Sequence, residues 1–211
     1  MSSETEPGRD CPLCPRLAEF RAEQRVNWPG WHNAPVPSFG APRPRLLVVG
    51  LAPGLKGANR TGRPFTGDYA GDLLYATLKK FGFAAGEYRA DPADGLTLHD
   101  CLITNAVRCV PPQNKPTPAE IRACNPFLGA TLEASRPPAV LALGRIAHDA
   151  VLDALGEKRS RHRFAHGARH ETGGAALFDS YHCSRYNTNT GRLTTAMFED
   201  VFAAIDAYLA A

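Results

Sequence analysis

Three short apolar runs constrain the fold of this chain more than any other sequence feature. They cover residues 46–49, 101–107 and 139–143, and a weaker fourth run covers residues 175–181. Short runs of this kind are typical of strands that are buried on both faces of a parallel sheet. Helical patterns alternate with them, over residues 69–81, 118–135, 145–155 and 195–209. We therefore predict an α/β fold, with a central four-stranded parallel sheet and helices on both of its faces.

The length of 211 residues fits one domain that buries a sizeable core. We therefore expect a single domain over residues 1–211, with a disordered polar tail over residues 1–10. No run reaches the roughly 20 apolar residues of a membrane span, and the N-terminus lacks an apolar signal region. These features predict a cytoplasmic protein, which we expect to be a monomer. A net charge of +3 permits an anionic partner without requiring one.

The first apolar run leads directly into a glycine-rich loop over residues 50–68. Its five glycines let backbone N–H groups approach a ligand closely, where a Cβ would obstruct. The loop also carries cations, one large aromatic ring and a single carboxylate: Lys56, Arg60, Arg63, Phe65 and Asp68. We interpret it as a binding loop for a nucleotide-like ligand, and a merely flexible surface loop is the alternative.

Two further polar loops follow strand ends, over residues 105–116 and 182–194. Asn105 is an amide at the end of an otherwise apolar run, where it either caps a turn or reads a ligand. The carboxyl ends of parallel strands border one crevice. We therefore expect the three loops to share a site.

Six cysteines in a reducing compartment are not expected to form disulfides. Cys11 and Cys14 form a C-x2-C pair before a helix predicted over residues 16–26, and Cys109 and Cys124 lie far downstream. Four thiolates suit either structural zinc or an iron–sulfur cluster. Nearby prolines, and the lack of a second short pair, favour a [4Fe–4S] cluster.

Residues 157–174 are rich in Lys, Arg and His and poor in apolar residues. This composition predicts a mobile basic arm or a hairpin, which is either solvated surface or a phosphate contact. His148, in the preceding helix, is predicted to be structural or solvent-facing.

Three segments resemble a known family. They are Gly50-Leu51-Ala52-Pro53-Gly54 with residues 61–68, the strand end at residues 104–109, and His182-x-Ser184-x-x-Asn187 with residues 190–194. Together they resemble the iron–sulfur uracil-DNA glycosylases, most closely the fifth (B-type) family, in the family's order over residues 11–194. The resemblance implies a uracil-DNA glycosylase-like fold. It also implies a DNA repair enzyme that flips uracil, and other deaminated bases, out of DNA and hydrolyses the N-glycosidic bond to leave an abasic site.

The resemblance assigns a role to each group of residues. Catalysis falls to Asp68, Asn105 and His182, and Asp68 replaces a polar side chain that other branches carry where this chain has Leu51 and Ala52. The residues that contact the base are Gly50, Leu51, Ala52, Pro53, Gly54 and Phe65. The DNA contacts are Arg60, Arg63, Arg185, Tyr186, Asn187 and Arg192. A structural [4Fe–4S] cluster is bound by Cys11, Cys14, Cys109 and Cys124.

Two alternatives remain open from the sequence. One is an α/β hydrolase acting on free nucleotides, although the glycine loop lacks the Gly-Lys-Ser/Thr ending of a P-loop. The other is a non-catalytic iron–sulfur protein that binds DNA.

Overall fold

The computed structural model describes residues 5–211. Its main sheet has six strands in the spatial order β1-β5-β2-β6-β8-β7, and β3 and β4 form a separate pair. In chain order the strands are β1 Phe39–Gly40, β2 Leu46–Gly50, β3 Ala84–Ala85, β4 Thr97–Leu98, β5 Cys101–Asn105, β6 Ala139–Leu143, β7 Arg169–Glu171 and β8 Ala176–Ser180.

The four central strands are parallel, as predicted, and all their residues are buried. Burial on both faces explains why each strand is a continuous apolar run rather than an alternating one. The edge strands β1 and β7 pair antiparallel with their neighbours. They were not predicted, because two or three residues are too few to show a period.

The longer helices match their predicted positions closely. The helices are α1 Pro15–Asn27, α2 Ala58–Thr61, α3 Tyr69–Lys80, α4 Pro118–Ser135, α5 Arg145–Ala154, α6 Arg185–Asn189 and α7 Thr195–Ala210. Helix α4 begins with a capping box between Thr117 and Glu120, which satisfies two backbone N–H groups at its first turn. The short helices α2 and α6 lie inside loops and were not predicted.

Alternate residues of each central strand face opposite sides of the sheet. Leu46 and Val48 of β2 pack on the side covered by α3 and α7, whereas Leu47 and Val49 pack on the side of α4 and α5. The sheet therefore separates two apolar cores. Its carboxyl edge, where β2, β5 and β8 end, remains available for polar side chains.

The basic segment 157–174 forms an ordered hairpin arm and is not a mobile arm. It contains a 3-10 turn at Arg159–Arg161 and strand β7, which pairs with β8. His148 lies beneath it and is fully buried. The hairpin alternative is confirmed, and the mobile arm and the solvent-facing His148 are wrong, because buried hydrogen bonds hold the segment to the core.

The tail predicted for residues 1–10 lies partly outside the described residues. Within residues 5–10 the prediction of disorder is wrong, because the buried Arg108 guanidinium requires a counter-charge. Glu6 provides it, with Oε2 2.7 Å from Arg108 Nη1, and its Oε1 accepts the Ser38 N–H. Arg108 also donates to Ser38 Oγ and Thr131 Oγ1. The start of the described chain is therefore fastened to the end of β5 and to α4.

Glu6→Gln tests this fastening. A neutral amide leaves the buried Arg108 without its counter-charge, so the free energy of unfolding should fall by about 2–3 kcal/mol. Glu19→Gln is the matched control, since Glu19 is an exposed carboxylate of α1. Urea denaturation of both variants measures the difference in their free energies of unfolding. Equal stability of the two variants would show that the Glu6–Arg108 pair does not stabilise the fold.

Candidate functional site

Strands β2 and β5 end side by side, with Gly50 paired in register with Asn105. A Cβ on Gly50 would overlap Asn105 Oδ1 and lie 2.6 Å from Phe65 Cζ. Glycine is therefore required for both side chains to lie against the end of β2. The strand pairing and this close approach bring Asn105 and Phe65 together.

Phe65 is held in an unusual backbone conformation. Its φ is 53°, in the left-handed region that side chains other than glycine seldom adopt. Tyr88 Oη donates to the Phe65 carbonyl oxygen at 3.0 Å, and a Cβ on Gly71 would overlap the same oxygen. The buried ring lies 6.0 Å from the His182 ring at an interplanar angle of 28°. Surrounding contacts thus fix a flat apolar face beside His182.

Arg63 does not face solvent, and its predicted DNA contact is corrected. Its guanidinium forms two hydrogen bonds with Asp94, at 2.7 and 2.8 Å, and its Nε donates to Thr66 Oγ1. Both side chains of the pair are at most 5% exposed. The hydrogen bonds from Arg63 hold the pKa of Asp94 well below its usual range. Arg63 therefore clamps the loop that carries Phe65.

Asp68 lies before α3 but does not use its side chain as a cap. Its carboxylate lies against the backbone of the glycine loop, since a Cβ on Gly54 or Gly57 would come within 3.0 Å of it. The buried Oδ1 has no hydrogen-bond partner. Burial raises the pKa of Asp68, and the amides of Ala70 and Gly71 offset part of this effect. Such a carboxylate is available to a water molecule or to a positive charge.

His182 follows the end of β8 and lines the same recess as Asp68. Burial lowers the pKa of its ring to about 4, so the ring is neutral at neutral pH. Its buried Nδ1 has no partner within the protein. Asn187 Nδ2 donates to the His182 carbonyl oxygen at 2.8 Å, and Ser184 caps helix α6. The ring is thus a neutral hydrogen-bonding group held by its own loop.

The predicted catalytic residues converge on one recess of about 260 Å³. Its lining is Ala52, Pro53, Gly54, Ala58, Phe65, Asp68, Ala70, Asn105 and His182. A wider cleft of about 880 Å³ shares five of these residues and adds Leu51, Tyr69, Asn114, Ser184 and Arg185. The Phe65 ring gives the recess one flat apolar wall, which suits a planar ring. The cleft leads to it from the surface.

The remaining predicted DNA contacts divide into two kinds. Arg60, Arg185, Tyr186 and Arg192 are exposed, and the Arg185 guanidinium lies 5.2 Å from the Tyr69 ring at the cleft. Asn187 is half-buried, and its amide nitrogen is engaged by the His182 carbonyl. Asn187 therefore supports His182, and its predicted DNA contact stays a prediction.

Sequence reasoning missed Asn114 and Tyr69 as lining residues of the cleft. Gln113 and Asn114 are consecutive residues with φ of 56° and 57°, and this turn brings Asn114 to the cleft wall. The run Pro111-Pro112-Gln113-Asn114 signals a turn in the sequence. It does not signal the direction in which that turn points.

Cys11, Cys14, Cys109 and Cys124 lie together, as predicted, around a second cavity of about 320 Å³. None of them forms a disulfide. Arg21 Nη1 lies 3.4 Å from Cys109 Sγ, and the Arg108 N–H donates to Cys124 Sγ. Burial raises the thiol pKa of Cys14, Cys109 and Cys124 to about 11. Buried thiols of this kind need a positive charge nearby to ionise.

Four thiols suit either one zinc ion or a larger iron–sulfur group. Thiolates bound to one zinc ion at about 2.3 Å are separated by about 3.8 Å. Within residues 5–211, the one triad of ligand atoms that all lie within 4.8 Å of one another is formed by other residues, His148, His170 and Asp179. The four cysteines that line the cavity are therefore not drawn together around a single ion, and their thiols are a donor set for structural zinc or for an iron–sulfur cluster.

Comparison with known proteins agrees with the geometry of the recess. A family model described as the uracil DNA glycosylase superfamily matches residues 37–206. The chain belongs to that superfamily. A type-5 uracil-DNA glycosylase of Thermus thermophilus is 48% identical over 201 residues, covering 90% of each chain. One of Mycobacterium bovis is 45% identical over 91% of this chain and 75% of its own length.

The resemblance to the fifth family is thereby confirmed. A type-5 uracil-DNA glycosylase of Pyrobaculum aerophilum is 41% identical over 94% of this chain and 89% of its own. A type-4 uracil-DNA glycosylase of the same organism is more distant, at 33% identity over 72% of this chain. The superfamily match covers all three loops of the recess. Among residues 5–211, no helix has both the length and the apolar character needed to cross a lipid bilayer.

Proposed function

We propose that this protein is a uracil-DNA glycosylase, which removes uracil from DNA by hydrolysing the N-glycosidic bond. One observation carries the proposal beyond family membership. A buried carboxylate oxygen of Asp68 and a buried ring nitrogen of His182, both without partners in the protein, line the same recess beside the Phe65 ring. Unpaired buried polar groups are unfavourable, so their place in the recess is explained by a substrate that pairs with them.

Recognition of the base follows from the walls of the recess. A base inside a duplex is out of reach, so the nucleotide must be flipped out of the stack. The Phe65 ring offers a face for stacking, and the Asn105 amide offers both a donor and an acceptor to the base edge. Leu51 and Ala52 leave this part of the wall apolar. An apolar wall has no polar group that would reject a base with different ring substituents. We therefore propose that other deaminated bases are also accepted.

Departure of the base requires stabilisation of two opposite charges. Negative charge gathers on the uracil oxygens, and the neutral His182 ring donates an N–H to one of them. Positive charge gathers on the sugar, where Asp68 provides an anion and orients the attacking water, as in glycoside hydrolysis. The low polarity that raises the pKa of Asp68 also strengthens its attraction to the sugar cation. The two groups thus act on the two sides of the breaking bond.

Contact with DNA outside the recess is assigned to exposed residues of the loops over residues 50–68 and 182–194. Arg185 lines the cleft, and we assign phosphate contacts to it and to the exposed Arg60 and Arg192. Tyr186, which is 72% exposed, is available to fill the gap left by the flipped nucleotide. Arg185 and Tyr186 begin helix α6, three residues after His182. The loop that supplies the hydrogen bond to the base therefore also carries the DNA contacts.

We further propose that the four cysteines bind a structural [4Fe–4S] cluster. When bound, the cluster would link the segment before α1, which carries Cys11 and Cys14, to the loop after β5 and to α4. Arg21 would place a positive charge beside Cys109 and favour its thiolate form. The links hold the end of β5, and so support the position of Asn105. We also propose a cytoplasmic location and a monomeric state, and sedimentation analysis tests the second.

Asp68→Asn tests the proposed function. The amide keeps the shape but loses the charge, so base release from a uracil-containing oligonucleotide should slow by about 100-fold or more while DNA binding persists. Single-turnover rates with saturating enzyme, read as alkali-induced strand cleavage, measure the effect. Asp72→Asn is the matched control, since Asp72 is an exposed carboxylate one turn along α3.

The outcomes separate the competing functions. Normal release by Asp68→Asn would leave the chemistry to His182 and Asn105. A wild-type protein that binds the oligonucleotide but releases no base would support the non-catalytic DNA-binding alternative. Release of uracil from free nucleotides but not from DNA would support the nucleotide hydrolase.

Replacing both Arg185 and Tyr186 with alanine tests the DNA contacts. A side chain that fills the gap left by the flipped nucleotide acts only where neighbouring bases must be separated. The loss of activity should therefore be about 10-fold greater on duplex than on single-stranded DNA. Arg122→Ala, an exposed arginine of α4 outside the cleft, is the control. Equal losses on both substrates would make these residues ordinary phosphate contacts.

The cluster is tested by colour and metal content. The purified protein should be brown, with broad absorbance near roughly 400 nm, and Cys109→Ala should lose both colour and solubility. Cys101→Ala should keep its colour, because Cys101 is a buried thiol that does not line the cysteine cavity. Colourless, active protein with one zinc ion per chain would contradict the cluster.

A further inference from the structure

A buried cluster of two histidines and an aspartate lies between α5, β7 and β8. His148 Nδ1 lies 2.7 Å from Asp179 Oδ1, and His170 Nε2 lies 2.9 Å from Asp179 Oδ2. The side chains of His148 and Asp179 are at most 1% exposed. The proposed mechanism uses none of these residues.

Both ring nitrogens of His148 face hydrogen-bond acceptors. Nδ1 faces the Asp179 carboxylate, and Nε2 lies 2.9 Å from the His162 carbonyl oxygen. A carbonyl oxygen cannot donate, so Nε2 carries a hydrogen. One more proton lies between Nδ1 and the carboxylate. The ordinary pKa of histidine, about 6.5, exceeds that of aspartate, about 3.9, so this proton belongs to His148. His148 is therefore a buried imidazolium.

The same three residues are also a chemically reasonable ligand set for a divalent metal. Two nitrogen or oxygen ligands of one tetrahedral zinc ion are separated by about 3.3 Å. The separations of 2.7 and 2.9 Å are shorter and match charge-assisted hydrogen bonds. The geometry favours protons over a metal ion.

The cluster fastens one segment of the hairpin arm, residues 162–170, to strand β8. The Ala165 N–H donates to Asp179 Oδ2, while the His162 carbonyl and the His170 ring bond to the cluster from either end of the segment. Two backbone hydrogen bonds of Asp179, with Gly167 and Ala168, complete the attachment. A single carboxylate thus organises the whole segment.

The fastened segment supports the residue that precedes His182. His166 Nδ1 accepts the Tyr181 N–H at 3.1 Å, and the two rings stack with centroids 4.9 Å apart. Tyr181 is also covered by the Arg192 guanidinium, 4.6 Å from its ring. The position of the His182 backbone therefore depends on His166, and that of His166 on the cluster.

We propose that Asp179, with the His148 imidazolium as its counter-ion, is a positioning residue for His182. The proposal rests on the proposed function for the role of His182 itself. The fixed segment determines the position of the residues at the end of β8. Their position in turn determines the distance from the His182 ring to the base.

The charged cluster also predicts a pH dependence. Burial lowers the pKa of His148, but the hydrogen bond and charge of Asp179 outweigh it, so the pKa lies above 6.5 in the folded protein. The neighbouring titratable groups are His170 from β7, Asp149 on the same helix, and His162, which lies 3.4 Å from Glu157. A raised folded-state pKa stabilises the protein fully below about pH 6.5. This stabilisation is lost as the pH rises through the folded-state value.

NMR of protein labelled with 15N-histidine tests the charge state directly. At pH 6 both ring nitrogens of His148 should have the chemical shifts of N–H nitrogens. The stability difference between wild type and His148→Gln should shrink as the pH rises from about 6.5. His99→Gln is the matched control, since His99 is exposed and lies outside the cluster. A neutral His148, or one equivalent of zinc in the purified protein, would overturn the charged cluster.

Asp179→Asn tests the positioning role. At a temperature where the variant is fully folded, base release in single turnovers should slow by about 10-fold or more with unchanged affinity for DNA, because small misplacements of a catalytic group are costly. A folded Asp179→Asn protein with wild-type rates would overturn the proposal. A wild-type protein without glycosylase activity would contradict the proposed function and with it the positioning role, while the NMR spectrum decides the charged cluster separately.

Discussion

The site depends on the absence of one side-chain atom. Gly50 ends the central strand β2, and the Asn105 amide and the Phe65 ring both occupy the space that a Cβ would fill. Parallel pairing alone brings Gly50 and Asn105 side by side. The missing atom then lets two groups from different loops approach one backbone position. Asn105 and Phe65, which meet at this glycine, both line the recess.

Charges buried around the recess act mainly on its geometry. Arg63 and Asp94 hold the Phe65 loop, Arg108 holds the end of β5 through Glu6, and Asp179 holds the end of β8. Each pair is hydrogen-bonded and has at least one fully buried partner, so separating the two is unfavourable. Directional bonds of this kind fix atoms more sharply than apolar packing does. Asp68 differs from them, because its free oxygen faces the recess.

The sequence allowed the central strands and the longer helices to be predicted, because burial on both faces and helical periodicity are local patterns. Asp68, Asn105 and His182 could be named because three motifs kept their order. Arg63 could not be placed, since its partner Asp94 lies 31 residues away and an exposed arginine has the same local sequence as a buried one. Asn114 was missed for a related reason. The direction of a loop depends on contacts that no single segment contains.

The fastening of the N-terminal segment has a consequence for folding. Glu6 and Arg16 meet their partners Arg108 and Glu120 across more than a hundred residues of chain. Contacts of such high sequence separation are slow to form. The N-terminal segment is synthesised first, yet it settles only after α4 has been made and docked. Until then Cys11 and Cys14 lie on an unanchored segment away from Cys109 and Cys124, so the four-cysteine cavity is the last part of the fold to be completed.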